Sequence, residues 1–177
     1  DRSERRNAVN AEMCERLTAG IREALAADAR AIVLTGAGGH FCAGADLSGV
    51  EDDHFRIALF TALRALFDAP VATMAAVQGA ALGAGTQLAV ACDLRVATPD
   101  ARFGIPAAKL GLMVDHWTVR RLTAVAGEAP ARAMLLAAEE LDGGAAVRIG
   151  FAQRAGGLDD ALEWAAAIAQ LAPLTIA

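Results

Sequence analysis

The chain has 177 residues, 55% of them hydrophobic and 21% charged, with a formal net charge of −5 at pH 7. That composition excludes intrinsic disorder, and the acidic balance argues against a nucleic-acid partner held by a basic surface. Cys14, Cys42 and Cys92, an odd number without a C-x-x-C pair, predict neither a disulfide framework nor a zinc site and suit a reducing cytoplasm.

Asn10 suits the N-cap of a helix whose apolar positions Met13, Leu17, Ile21 and Leu25 recur every four residues, ending near Asp28. Residues 31–35 read as a buried strand closed by the turn Gly36-Ala37-Gly38-Gly39, and residues 41–47 as irregular. A helix over residues 53–67 is ended by Pro70. The next 22 residues, 71–92, carry no charge, a length that could span a bilayer. Gly79 and Gly83 interrupt them, so they read as a strand to Val77, a tight turn over 79–84 and a short helix over 85–92. Strands are predicted at 94–97 and 101–104, then helices at 117–126, 130–141, 144–149 and 158–171. Strands alternating with helices, then helices alone, indicate an α/β core of about residues 1–115 with a helical extension over 116–177, in a single domain.

Several active-site chemistries are missing from the sequence. There is no G-x-S-x-G elbow, no H-E-x-x-H and no P-loop, and the glycines at 36, 38 and 39 miss the dinucleotide fingerprint. His40, His54 and His116 lack ligand spacing, so no metal is expected. What stands out is a pair of small-residue turns, Phe41-Cys42-Ala43-Gly44-Ala45-Asp46-Leu47 and Gly79-Ala80-Ala81-Leu82-Gly83-Ala84-Gly85, each following a buried strand. Small side chains let a ligand approach the backbone, and the second turn opens a helix whose first amides lack intrahelical acceptors. Two converging N–H groups would form an oxyanion hole; the same turns also suit plain packing of strand against helix.

The turns, with Glu4-Arg5-Arg6-Asn7-Ala8-Val9-Asn10, residues 31–36, 78–93 and 102–111, and the helical tail from Arg120 to Arg154, resemble the crotonase (enoyl-CoA hydratase/isomerase) superfamily over nearly the whole chain. The likeness is nearest to its mycobacterial acyl-CoA-binding members linked to mycolic-acid synthesis. It implies a crotonase-like spiral of ββα units, truncated at both ends in this chain, and assembly as a homotrimer or dimer of trimers. The implied ligand is a fatty acyl-CoA thioester, with no further cofactor. Its carbonyl oxygen would meet the N–H groups of Ala45 and Ala84, the latter replacing the family's usual glycine. Ala43, Gly44, Asp46, Leu47, Ala81, Gly83, Pro106 and His116 would line its path, with Arg5, Arg6 and Ala8 at the phosphate end. On side-chain chemistry alone Arg5 and Arg6 equally suit a solvated basic turn, and Asp46 a turn-stabilising carboxylate.

The chain departs from that pattern where the family's two catalytic glutamates belong, at Gln87 and Ala107. Neither an amide nor a methyl group can transfer a proton near neutrality, and general acid–base help is worth about 10²–10⁴-fold. The expectation is acyl-CoA binding with weak or absent hydratase activity. The alternative is an isomerase or hydratase-like lyase using Asp115, a residue equally suited to capping the helix that follows it. Ala107, Leu112, Met113 and Trp117 form an uncharged set that favours a lipid tail.

Overall fold

The computed structural model describes residues 1–46 and 52–171. Helix α1 (Ala11–Ala26) starts as predicted, with the Asn10 side chain accepting from the Met13 N–H, and buries Cys14, Thr18 and Ile21. The expected apolar positions Met13, Leu17 and Leu25 flank that stripe, packed on the core but only partly covered. Helix α2 (Asp53–Phe67), capped by Asp52, lies against α1 and buries Phe55, Leu59, Ala62, Leu63 and Leu66.

Strands β1 (Ala31–Thr35), β2 (Ala72–Val77), β4 (Leu94–Ala97) and β7 (Arg154–Ala155) form a parallel sheet in the order β1-β2-β4-β7. Every residue of β2 is buried, as its continuous apolar run requires. A second sheet holds β3 (Ala80–Leu82), β5 (Arg102–Gly104) and β6 (Glu140–Asp142), with β3 parallel to β5 and β5 antiparallel to β6. Helix α3 (Ala84–Ala91) joins β3 to β4, and the one-turn helix α4 (Ala107–Leu110) follows β5. Each level of the coil thus sends one strand to each sheet and then a helix: β2, β3, α3, then β4, β5, α4. The uncharged run 71–92 is folded as strand, strand and helix, and among the described residues no helix is long and apolar enough to cross a membrane.

Helices α5 (His116–Ala126), α6 (Glu128–Leu136), α7 (Gly143–Arg148) and α8 (Leu158–Ala169) make up the rest. The single helix expected over 130–141 is therefore wrong at its end. Ala138 takes a left-handed φ of 50°, and the chain leaves the helix to form β6. Leu141 then lies opposite Phe103, and Glu140 accepts from Arg102 Nε at 2.7 Å. These tertiary gains override the helical propensity of Ala137-Ala138-Glu139-Glu140. Residues 80–82, expected in a turn, are strand for a similar reason: β5 and the segment at Cys42 pair with them on either side.

Candidate functional site

The two small-residue turns lie against each other on neighbouring levels of the coil. Cys42 bridges Ala81 in parallel, its N–H donating to Ala80 O at 2.9 Å and its carbonyl accepting from the Leu82 N–H at 3.0 Å. The approach is so close that a Cβ on Gly85 would lie 2.1 Å from Cys42 O, and one on Gly44 3.2 Å from Leu82 O. Gly44 and Gly83, at φ of 120° and 53°, take backbone shapes that suit glycine, and a Cβ on Gly83 would sit 3.8 Å from Gly44 Cα.

On its far side the first turn is tied to the N-terminal segment. Ala43 N–H donates to Arg6 O, Val9 N–H to Gly44 O and Asp46 N–H to Val9 O, at 2.8–2.9 Å. Ala45 bridges Val9 in parallel, and since Gly44 O and Asp46 N serve that pairing, Ala45's own N–H is directed to the opposite edge. Ala84 opens α3, where Gly83 N–H donates to Gly104 O and Gln87 N–H donates to Gly83 O at 3.0 Å in the first turn. Among the described residues neither the Ala45 nor the Ala84 N–H is taken by a backbone carbonyl. Thr86, unremarked in the sequence, pins this end of α3: its buried hydroxyl bonds Ala81 O, Gly104 O and the Gly104 N–H.

The other end of α3 is held by two guanidinium groups. Buried Arg95 donates to Ala89 O at 3.1 Å, Cys92 O at 2.8 Å and Phe151 O at 2.6 Å, while Arg121 Nε donates to Val90 O at 2.7 Å. Burial lowers the pKa of Arg95 to about 10, and that of Arg121 in the same direction.

One turn along α3 from Ala84, Gln87 meets α5. Its Nε2 donates to Asp115 Oδ2 at 3.2 Å and to Thr118 Oγ1 at 2.8 Å. Asp115 caps α5, accepting from the Thr118 N–H at 2.9 Å and from the Thr118 hydroxyl at 2.6 Å. The capping role and the approach to Gln87 coexist in one carboxylate. His116, the first residue of α5, is exposed. Pro106 precedes α4 and Ala107, half-buried, begins it, bringing only a methyl group.

At the other edge of the first turn, Asp46 accepts from Arg2 Nη2 at 2.8 Å and from Arg5 Nη1 at 3.2 Å. Arg5 and Asp46 are thus brought together, with Arg2 as the partner that sequence reading missed; Arg2 also donates to Ala8 O at 2.9 Å. Arg6 is exposed in a left-handed conformation. Ala81 is fully buried in β3, and Leu47 lies outside the described residues. Of the uncharged set expected to line a lipid tail, Ala107 and Trp117 pack on the core, the Trp117 ring 5.6 Å from that of Phe67, whereas Leu112 and Met113 are exposed. A groove of roughly 290 Å³ between α1 and α2, beside Glu15, Arg22 and His54, does not touch the turns, whereas a smaller one of about 150 Å³ is lined by Phe41 and Cys42 of the first turn together with Val9, Met13 and Leu88.

The model of the enoyl-CoA hydratase/isomerase family matches residues 1–177. The chain belongs to that family. It is 51% identical to the "Probable enoyl-CoA hydratase echA6" of Mycobacterium bovis over 99% of its own length and 72% of that protein, and 47% identical to the Mycobacterium leprae protein of the same name, over 99% and 73%. Among solved structures, an enoyl-CoA hydratase/isomerase from Xanthobacter autotrophicus superposes with a TM-score of 0.88 at 31% identity, covering 99% of this chain and 70% of that one. An enoyl-CoA hydratase from Bacillus anthracis gives a TM-score of 0.89 at 27% identity, over 99% and 73%. The crotonase fold and the mycobacterial likeness expected from the sequence are both borne out.

Proposed function

We propose that this chain binds a fatty acyl-CoA thioester and hydrates it poorly or not at all. The thioester carbonyl oxygen accepts from the main-chain amides of Ala45 and Ala84, and Arg5 and Arg6 stand where the phosphates would lie, as the family pattern implies. The observation that carries the reading is a contrast within one site. The two amide-bearing turns are docked on each other through Cys42 and Ala81, while Gln87 and Ala107, at the glutamate positions, offer no group able to move a proton. Calorimetry and thermal melting with acyl-CoAs of graded length test the binding half. Ligand at 100 times its Kd adds about 2.7 kcal/mol, a rise in Tm of roughly 5–10 °C for a chain of this size. The loss of crotonyl-CoA absorbance tests the other half, and robust turnover would refute it.

A second reading is favoured by the Asp115 carboxylate 3.2 Å from Gln87 Nε2: an isomerase or hydratase-like lyase in which Asp115 moves the proton. Asp115→Asn, which keeps the helix cap, would then abolish turnover. We favour the binding reading because this carboxylate already accepts from the Thr118 N–H, the Thr118 hydroxyl and Gln87. A cytoplasmic site of action and assembly as a homotrimer or dimer of trimers complete the proposal. The exposed side chains of Ile57, Phe60, Leu136 and Met113 support assembly, and sedimentation velocity measures it.

A further inference from the structure

Thr86 spends its hydroxyl differently from other threonines in the helices. Thr18, Thr61 and Thr123 each donate to the carbonyl four residues back in their own helix, at 2.8–2.9 Å. Thr86, the third residue of α3 and fully buried, reaches out of its helix instead. Its oxygen accepts from the Gly104 N–H at 3.0 Å, and its single proton is shared between Ala81 O at 2.6 Å and Gly104 O at 2.9 Å. Gly104 O also accepts from the Gly83 N–H at 2.8 Å, so the chain is tied to Gly104 just before Ala84 and just after it. Gly104 is wedged in turn against the segment entering β6, where a Cβ on it would lie 3.0 Å from Glu140 Cγ and 3.3 Å from Glu139 O. Ala81 is the residue of β3 that bridges Cys42 of the first turn. One buried oxygen thus joins β5, the strand docked on the first turn, and the helix that opens at Ala84.

Resting on the reading that the Ala84 amide binds a thioester carbonyl, we infer that Thr86 is a positioning residue whose hydroxyl sets the direction of that amide without touching the ligand. Amides in the first turn of a helix have no intrahelical acceptor to hold them. The direction of the Ala84 N–H is therefore set by whatever fixes the backbone around it. A donor gives its full worth to an oxygen only when it need not reorganise on binding. Gly85, pressed against Cys42 O, fixes how near the start of α3 comes to the first turn. The Thr86 hydroxyl, bonded to both β3 and β5, fixes how that start is turned.

Decanoyl-CoA and S-decyl-CoA, the thioether of the same chain without the carbonyl oxygen, separate positioning from plain stability when their dissociation constants are measured by calorimetry. The native protein is expected to bind the thioester roughly fivefold tighter, the worth of one neutral hydrogen bond. Thr86→Val, which keeps the shape and removes the hydroxyl, should weaken the thioester by about that factor, leave the thioether unchanged and so bring the ratio to about one. Thr86→Ser should restore the native ratio. The infrared carbonyl stretch of the bound thioester should lie below that of the free ligand in the native protein and the serine variant, and return toward it in the valine variant. Should Thr86→Val fail to fold, Thr86→Cys, whose thiol is a weaker hydrogen-bonding group, is expected to give an intermediate frequency. A native ratio and native frequency in the valine or cysteine variant, or equal weakening of both ligands, overturn this inference while leaving thioester binding intact. A native protein that does not prefer the thioester overturns the carbonyl reading and this inference with it.

Discussion

Asn7 is nearly solvent-free at a left-handed φ of 56°, and its side chain ties the N-terminal segment to the loop after β1. Nδ2 donates to Ala37 O and His40 O, both at 2.7 Å, and Oδ1 accepts from the Arg2 N–H at 3.1 Å. Asn7→Asp replaces a double donor with an acceptor facing two carbonyls, and about 3 kcal/mol of stability should be lost, read from the urea midpoint. Arg95 is a comparable case with charge. Arg95→Met leaves Ala89 O, Cys92 O and Phe151 O short of donors, at a cost of roughly 3 kcal/mol. Neither role was legible in the sequence, because Asn7 finds its partners 30 and 33 residues away and Arg95 reaches Phe151 across 56. Gln87, Ala107 and Asp115 stood out only through the family resemblance, which places catalytic groups there; what each can do with a proton then follows from its side chain. The contact between Gln87 and Asp115, 28 residues apart, required the fold.

Between elements, the contact of α3 with the first turn carries the site, and two glycines separate its effect from ordinary helix energetics. Gly85→Ala puts a methyl group within 2.1 Å of Cys42 O and must force the turns apart. Acyl-CoA affinity is expected to fall at least about tenfold, with a lower Tm. Gly20, exposed on α1, has nothing within 4 Å of where a Cβ would go. Gly20→Ala should raise stability by up to about 1 kcal/mol, with Kd for acyl-CoA unchanged. Most elements could be placed from periodicity and punctuation, as with α1 behind Asn10 and α2 ahead of Pro70. The boundary missed at 136–142 follows from pairing with β5, which local propensity does not encode.

Over the whole molecule, three buried thiols set the alkaline limit. Burial raises Cys14 and Cys92 to about 12 and Cys42 to about 11, from an ordinary value of 9.0. The unfolded chain sheds these protons first, so stability is fully present below pH 9 and falls as pH rises toward 11–12. Arg95 acts with the opposite sign, since the unfolded chain keeps its proton to higher pH, but only above about pH 10. Urea midpoints taken from pH 7.5 to pH 10 therefore read the thiols, and Cys92→Ala should make the decline shallower. The same protonation keeps all three unreactive toward iodoacetamide in the native state at pH 8. The α/β class was legible in the alternation of apolar runs with amphipathic ones. The sharing of successive strands between two sheets came only from the family resemblance, because a strand as buried as β2 has no polar face to mark its allegiance. Arg95 and Arg121 give this coil a directional electrostatic character. Two fixed cations occupy the carbonyl pole of α3 and so reinforce its peptide dipoles, raising the potential at the opposite pole where Ala84 stands. Under the proposed reading, negative charge on a thioester oxygen there would be favoured from behind, with the buried Arg95 little screened by salt.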